Sequence, residues 1–110
     1  MEPLSPTARF LPAVDGSAVL EVHGEIDVAV SEEFSDALFA MIDTGAPGVV
    51  VDLAGVRFID SSGLGALVKA SQHADNVGSS VTVRNAEGPV RRVFDITGLA
   101  EKFGIEPTQS

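Results

Sequence analysis

The apolar and polar positions of the chain follow two periods, one typical of strands and the other of helices. Val49-Val50-Val51-Asp52-Leu53 is a nearly continuous β-branched run, which favours a central strand buried on both faces of a parallel sheet. Four apolar residues recur at i, i+4, i+7 and i+8, namely Phe34, Leu38, Met41 and Ile42. This single apolar stripe predicts an amphipathic helix from about Val30 to Asp43.

The same reasoning predicts three further strands and two further helices. The strands are expected at Ala8–Val14, Ala18–His23 and Val81–Val83, and the helices after Asp60-Ser61-Ser62-Gly63 and over about Pro89–Thr97. Gly24-Glu25-Ile26-Asp27 is expected to leave the second strand. Helices between strands imply parallel pairing, whereas a turn signal at Asp15-Gly16-Ser17 joins the first two strands into an antiparallel hairpin. The pattern therefore predicts an α/β fold, in which a mixed sheet of parallel and antiparallel strands is covered by helices.

The chain length and the absence of cysteine narrow the possibilities further. The 110 residues fit one domain, and we expect a loose tail over residues 1–6, a folded domain over residues 7–106 and a frayed tail over residues 107–110. Without cysteine, disulfides, thiolate metal sites and a cysteine nucleophile are excluded. Met1 to Phe10 has no basic region followed by a long apolar run, so we expect no signal peptide, and no apolar stretch reaches the roughly 18 residues of a membrane span. A cytoplasmic location is the expectation that fits these features.

Acidic residues outnumber basic residues strongly. Sixteen Asp and Glu against seven Lys and Arg give a formal net charge of −9. Such a surface repels the phosphates of nucleic acid and of anionic lipid, so neither is an expected partner. A basic protein surface remains a suitable partner.

The histidine, serine and glycine patterns give little support to an enzymatic activity. Ser61 lies where a strand is expected to meet a helix, but Ile59-Asp60 replaces the Gly-x of a hydrolase elbow. His73 falls roughly 15 Å or more along the second helix from its start, and nothing places His23 beside the serine. Neither a complete G-x-G-x-x-G nor a metal-ligand spacing is present. We therefore expect no enzymatic activity, no bound metal and no cofactor.

Asp60-Ser61-Ser62-Gly63 has two interpretations that the residues alone leave open. Asp and Ser are preferred helix N-caps, so Asp60 or Ser61 explains the motif structurally. A helix N-terminus also accommodates phosphate, because its N–H groups and dipole favour negative charge. Phosphorylation of Ser61 would add about −1.5 to −2 charges without breaking the fold. A partner packed over that hydroxyl would then lose on the order of 2–5 kcal/mol of binding energy.

Three segments resemble the STAS domains of bacterial anti-sigma factor antagonists. The strongest is Val50–Gly65, in which Asp60-Ser61-Ser62-Gly63-Leu64-Gly65 matches the family's phosphorylation motif D-S-[ST]-G-L-G. The others are Gly24-Glu25-Ile26-Asp27 after the second strand and Val93–Leu99 in the third helix. The resemblance implies an α/β fold with a single STAS-like domain, a mixed four- to five-stranded sheet, an N-terminal antiparallel hairpin and helices packed on the sheet.

The resemblance also implies partner switching rather than catalysis. In this family the unphosphorylated antagonist binds an anti-sigma factor, which is an ATP-dependent serine kinase, and a sigma factor is released for transcription. The kinase phosphorylates the first serine of the motif, here Ser61, and the complex dissociates. A phosphatase then resets the antagonist. ATP and magnesium belong to the kinase, so no cofactor is expected on this chain.

By the same resemblance, seven residues are expected at the partner-binding face: Glu25, Asp27, Asp60, Ser61, Ser62, Gly63 and Leu64. The alternative function is that of a stand-alone STAS subunit of a transporter or of a stress-signalling complex. Transporter-associated versions often lack a phosphorylatable D-S-[ST]-G, so the intact motif favours sigma-factor control. The sequence leaves the oligomeric state open.

Overall fold

A computed structural model describes the backbone of residues 7–12 and all of residues 16–105. The tails expected at residues 1–6 and 107–110 lie outside the described residues, as do residues 13–15, which join the first two strands. The predicted turn at Asp15-Gly16-Ser17 therefore falls only partly within the described chain.

Four strands and three helices make up the described fold, in the predicted order ββαβαβα. They are β1 (Thr7–Pro12), β2 (Ala18–Ile26), α1 (Ser31–Ile42), β3 (Val49–Ile59), α2 (Ser61–Asn76), β4 (Val81–Arg84) and α3 (Gly88–Thr97). The strands lie in the spatial order β1-β2-β3-β4. The three strands β2, β3 and β4 are parallel, and β1 pairs antiparallel with β2. The expectation of one mixed α/β domain is confirmed.

The second strand is longer than the sequence pattern indicates. β2 continues through Gly24 and Glu25 to Ile26, so the expectation that this segment leaves the strand is wrong for its first three residues. Two register shifts against β3 and a positive φ of 100° at Gly24 change the pairing of β2 with β3 in its second half. Ile26 then pairs with Ile59, and both side chains are about 1% exposed or less. Burial of these two side chains holds the end of β2 in the sheet.

The predicted apolar stripe of α1 is confirmed, since all four of its residues are buried. α1 and α2 pack against each other and against the sheet, while α3 packs against β3. Phe94 of α3 meets Phe103 edge to face, with ring centroids 6.0 Å apart, and both rings are fully buried. These contacts close a single core around the parallel strands.

A buried carboxylate ties β3 to the end of β4. Asp52 Oδ1 accepts hydrogen bonds from the Ala54 N–H at 3.0 Å and from Asn85 Nδ2 at 3.2 Å. Asp52 Oδ2 accepts one from Arg84 Nε at 3.0 Å. Burial raises the pKa of Asp52, but these three hydrogen bonds and the Arg84 charge outweigh it and hold the pKa below its ordinary value of 3.8. The ionised form is therefore the one that stabilises the fold.

Replacing Asp52 should make the fold less stable and less sensitive to acid. In Asp52→Asn the amide NH2 group faces either the Arg84 donor or the Ala54 and Asn85 donors, which should cost about 1–3 kcal/mol of unfolding free energy at neutral pH. Because the pKa of Asp52 is lower in the folded than in the unfolded chain, its carboxylate stabilises the fold fully above the unfolded-state pKa. This contribution is lost as the pH falls through the folded-state pKa. The gap between wild type and variant should therefore shrink below about pH 4. Urea unfolding at several pH values measures it, with exposed Asp75→Asn as the control; a gap independent of pH would contradict the prediction.

Candidate functional site

The two candidate motifs lie side by side at one edge of the sheet. β2 and β3 are parallel neighbours, so the segments that follow them emerge at the same edge. The Asp60 N–H donates to the Ile26 carbonyl at 3.1 Å, which links the start of α2 to the end of β2. The structure thus brings the predicted Glu25 and Asp27 next to the serine motif, although about 30 residues separate them in sequence.

Asp60, and not Ser61, caps helix α2. The Asp60 backbone is extended, with φ −112° and ψ −172°, and its Oδ1 accepts from the N–H groups of Ser62 at 2.9 Å and Gly63 at 3.2 Å. Ser61 is therefore the first residue of the helix, and its side chain is exposed. Because capping is supplied by Asp60, the Ser61 hydroxyl has no structural task that its modification would disturb.

The next three residues turn progressively inward. Ser62 is half-buried, whereas Gly63 is buried and Leu64 is only 5% exposed in the core. A Cβ atom on Gly63 would lie 2.7 Å from both Ile26 Cγ2 and Ile59 Cγ1 and 3.1 Å from the Ile26 carbonyl oxygen. Gly63 is thus the residue that allows the helix to start directly on the ends of β2 and β3. The structure places Gly63 and Leu64 beneath the surface motif and not on it.

The two predicted acidic residues after β2 have different surroundings. Glu25 is exposed and lies 3.6 Å from Arg57, which is exposed too, so this ion pair adds little stability. Asp27 Oδ1 accepts from the Ala29 N–H at 3.0 Å, and its carbonyl accepts from the Val30 N–H at 3.1 Å. Asp27 therefore shapes the turn into α1, while Glu25 offers a carboxylate at the surface.

Two exposed apolar side chains, which the sequence analysis did not identify, flank the motif. Val28 follows β2 and is 73% exposed, and Phe58 near the end of β3 is 47% exposed. Phe58 is the register partner of Glu25. Large apolar groups exposed beside a polar motif are typical of protein-interaction surfaces. We call Glu25, Asp27, Val28, Phe58, Asp60 and Ser61 the docking face.

An open groove also lies beside the motif, between the N-terminal parts of α1 and α2, with a volume of about 390 Å³. We call it the α1–α2 groove. Its lining residues are Ser31, Glu32, Ser35, Ser62, Gly65, Ala66 and Lys69. Of these, only Ser62 belongs to the site that the sequence predicts.

His73 lies away from the serine motif, and His23 lies within β2 as the register partner of Gly55. His73 Nε2 is 2.7 Å from Asp43 Oδ1, and its ring stacks on Phe39 with centroids 4.7 Å apart. It lies twelve residues beyond Ser61 on α2, roughly 18 Å along the helix axis. Within residues 16–105, no group of three or more His, Cys, Asp or Glu side chains is arranged to hold a metal ion. None of the helices in the described part of the chain has the length and apolar character needed to cross a bilayer.

Fold and site together define a small mixed α/β domain in which Ser61 of an Asp-Ser-Ser-Gly motif is exposed at a strand-to-helix junction. A comparison with family models matches the STAS domain over residues 7–110. The chain therefore belongs to the STAS-domain family, as the resemblance of its motifs implies.

Relatives and solved structures include anti-sigma factor antagonists. The anti-sigma-B factor antagonist of Staphylococcus epidermidis is 33% identical over 86 residues, which cover 78% of this chain and 80% of that protein. An anti-sigma factor antagonist structure from Mycobacterium paratuberculosis matches with a TM-score of 0.73 and 31% identity, covering 97% of this chain and 92% of that one. The anti-sigma factor antagonist SpoIIAA in its unphosphorylated form has a TM-score of 0.75 at 21% identity, over 86% and 84% of the two chains, and supports the fold alone.

Proposed function

We propose that this chain is an anti-sigma factor antagonist whose Ser61 is phosphorylated by the anti-sigma factor that it binds. The observation that carries the proposal is that different residues cap α2 and expose a hydroxyl at its start. Asp60 caps the helix, and Ser61 presents its hydroxyl to solvent from the first helical position. A kinase can reach that hydroxyl without unfolding any part of the domain. The chain acts as a substrate and a binding partner, and not as an enzyme.

A phosphate on Ser61 suits the domain itself. At the first position of α2 it lies at the positive end of the helix dipole, which favours an anion by about 0.3–1 kcal/mol. The Asp60 carboxylate is close by and offsets part of this gain through like-charge repulsion. The net effect on folding is therefore small, and both forms of the chain keep the same fold.

The same phosphate has a much larger effect on a partner that is bound over Ser61. Phosphoryl transfer requires the γ-phosphate of ATP to stand in line with the Ser61 hydroxyl, so the nucleotide phosphates occupy the space above this residue in the complex. The product carries about −1.5 to −2 charges into that space. An unpaired charge buried at an interface costs on the order of 2–5 kcal/mol, which corresponds to roughly thirty- to several-thousand-fold in affinity. Phosphorylation therefore releases the partner, and a phosphatase restores binding.

The docking face supplies the contacts that hold the unphosphorylated complex. Val28 and Phe58 provide the apolar contact area, and Glu25, Asp27 and Asp60 contribute carboxylates from the same edge of the sheet. This surface fits an apolar contact rimmed by basic residues, in keeping with the net charge of −9. Gly63 and Leu64 support the face from below, Gly63 by permitting close packing and Leu64 from within the core. Ser62 contributes from the side of the groove.

Phosphorylation in a purified system tests the proposal. The chain is incubated with ATP, magnesium and each anti-sigma factor serine kinase encoded in the same genome, and the products are mapped by mass spectrometry. We expect one phosphate on Ser61, full loss of modification in Ser61→Ala, and retained modification in Ser62→Ala. Phosphate on Ser62 alone would refute the site. If no such kinase binds the chain, and affinity capture from the native cytoplasm recovers transporter subunits, the transporter alternative replaces the proposal.

A further inference from the structure

The α1–α2 groove opens at the same edge of the sheet as Ser61. α1 follows β2 and α2 follows β3, and because these strands are parallel neighbours, both helices start at one edge and run in the same direction. Ser31 and Glu32 open α1, and Ser62 lies in the first turn of α2. The mouth of the groove is therefore lined by two hydroxyls and a carboxylate, immediately beside the docking face.

Charge is distributed unevenly along the α1–α2 groove. Glu32 lies at the mouth, on the same sheet edge where the hydrogen bond from the Asp60 N–H to the Ile26 carbonyl joins the ends of β2 and β3. Lys69 is exposed and lies seven residues beyond Ser62, roughly 10 Å farther along the axis of α2; we call this end of the groove, away from the sheet edge, the inner end. Within residues 16–105, neither Glu32 nor Lys69 forms an ion pair. The mouth thus carries one carboxylate beside serine hydroxyls, whereas the inner end carries one amine.

We propose that the α1–α2 groove binds one arginine or lysine side chain of the anti-sigma factor kinase, as a second contact beside the docking face. This inference rests on the proposed function. Glu32 accepts from the cationic head group, and the hydroxyls of Ser31, Ser35 and Ser62 supply further acceptors. Lys69 repels the cation from the inner end and so confines it to the mouth.

The proposal assigns different tasks to the two serines of the motif. Ser61 is exposed and accepts the phosphate, whereas the half-buried Ser62 lines the α1–α2 groove and contacts the partner. The volume of about 390 Å³ falls within the roughly 300–1,000 Å³ of pockets that bury small ligands, so a long side chain and its adjacent backbone fit.

Two substitutions with the same change in net charge test the groove directly. Glu32→Gln removes the carboxylate from the groove, and Glu33→Gln removes one from the neighbouring exposed position, which does not line it. Titration calorimetry with a purified anti-sigma factor kinase that binds the wild-type chain should show about 5- to 30-fold weaker binding for Glu32→Gln. Glu33→Gln should change affinity by less than about two-fold, and circular dichroism should show both variants folded.

Lys69→Gln should not weaken binding to the kinase, in contrast to Glu32→Gln. Removing a like charge from the inner end should leave affinity unchanged or strengthen it by up to about three-fold. Equal effects of Glu32→Gln and Glu33→Gln would overturn the groove proposal while leaving the proposed function intact, as would a loss of affinity in Lys69→Gln. If the wild-type chain binds no anti-sigma factor kinase, the proposed function fails and this inference fails with it.

Discussion

Ser61→Asp should weaken binding to the anti-sigma factor kinase by at least about ten-fold while leaving the domain folded. The carboxylate carries only part of the charge of a phosphate, so phosphorylated wild type should bind more weakly still. Ser61 is exposed at the first position of α2 and takes no part in the Asp60 cap, so the melting temperature should change by only a few degrees. Calorimetric titration and thermal unfolding measure the two quantities on the same samples.

Ser61→Asn is the matched control, because it has almost the same size as Ser61→Asp but no charge. It should lose much less affinity than the Asp variant if charge is what expels the partner. Equal losses in the two variants would instead point to side-chain volume. Wild-type affinity in Ser61→Asp would contradict release by charge altogether.

Phe58→Ala should reduce affinity for the same kinase by about 10- to 100-fold, since truncation of a large apolar interface residue typically costs 2 kcal/mol or more at a binding hot spot. Phe58 is 47% exposed near the end of β3, so its removal should disturb the core little. Val28→Ala should have a smaller effect of the same sign, because fewer apolar atoms are removed.

Ile96→Ala serves as the control for this pair. Ile96 is 77% exposed on α3, away from the edge where the serine motif lies, so its truncation should leave affinity unchanged. If Ile96→Ala weakens binding as much as Phe58→Ala, the partner contacts a different surface from the one proposed. Surface plasmon resonance with immobilised kinase distinguishes these results through the dissociation rate.

Local periodicity predicts much of this fold because several elements carry an unambiguous pattern. The i, i+4, i+7, i+8 stripe of α1 has one helical interpretation, and all its residues are buried. The β-branched run from Val49 to Leu53 likewise lies in β3 at the centre of the parallel strands. The end of β2 was not predictable, because the sequence does not reveal that Gly24 adopts a positive φ and re-phases the strand.

The candidate site is only partly visible in the sequence. The motif at Asp60-Ser61 is local, but both residue types cap helices, so the structure was needed to assign the cap to Asp60. Exposure of Val28 and Phe58 depends on which parts of the sheet remain uncovered by helices, and no local pattern encodes that. The α1–α2 groove joins side chains about 30 positions apart and exists only through the packing of two helices.

The cap at Asp60 has a consequence for the speed of signalling. Since the hydroxyl of the neighbouring serine is left out of the network that holds the helix, adding or removing a phosphate requires no rearrangement of the chain. Under the proposed function, response times would be governed by the kinase, the phosphatase and dissociation of the complex, with no slow refolding step between the two states. Repeated cycles of such a switch would thus leave the cap at the start of α2 in place each time.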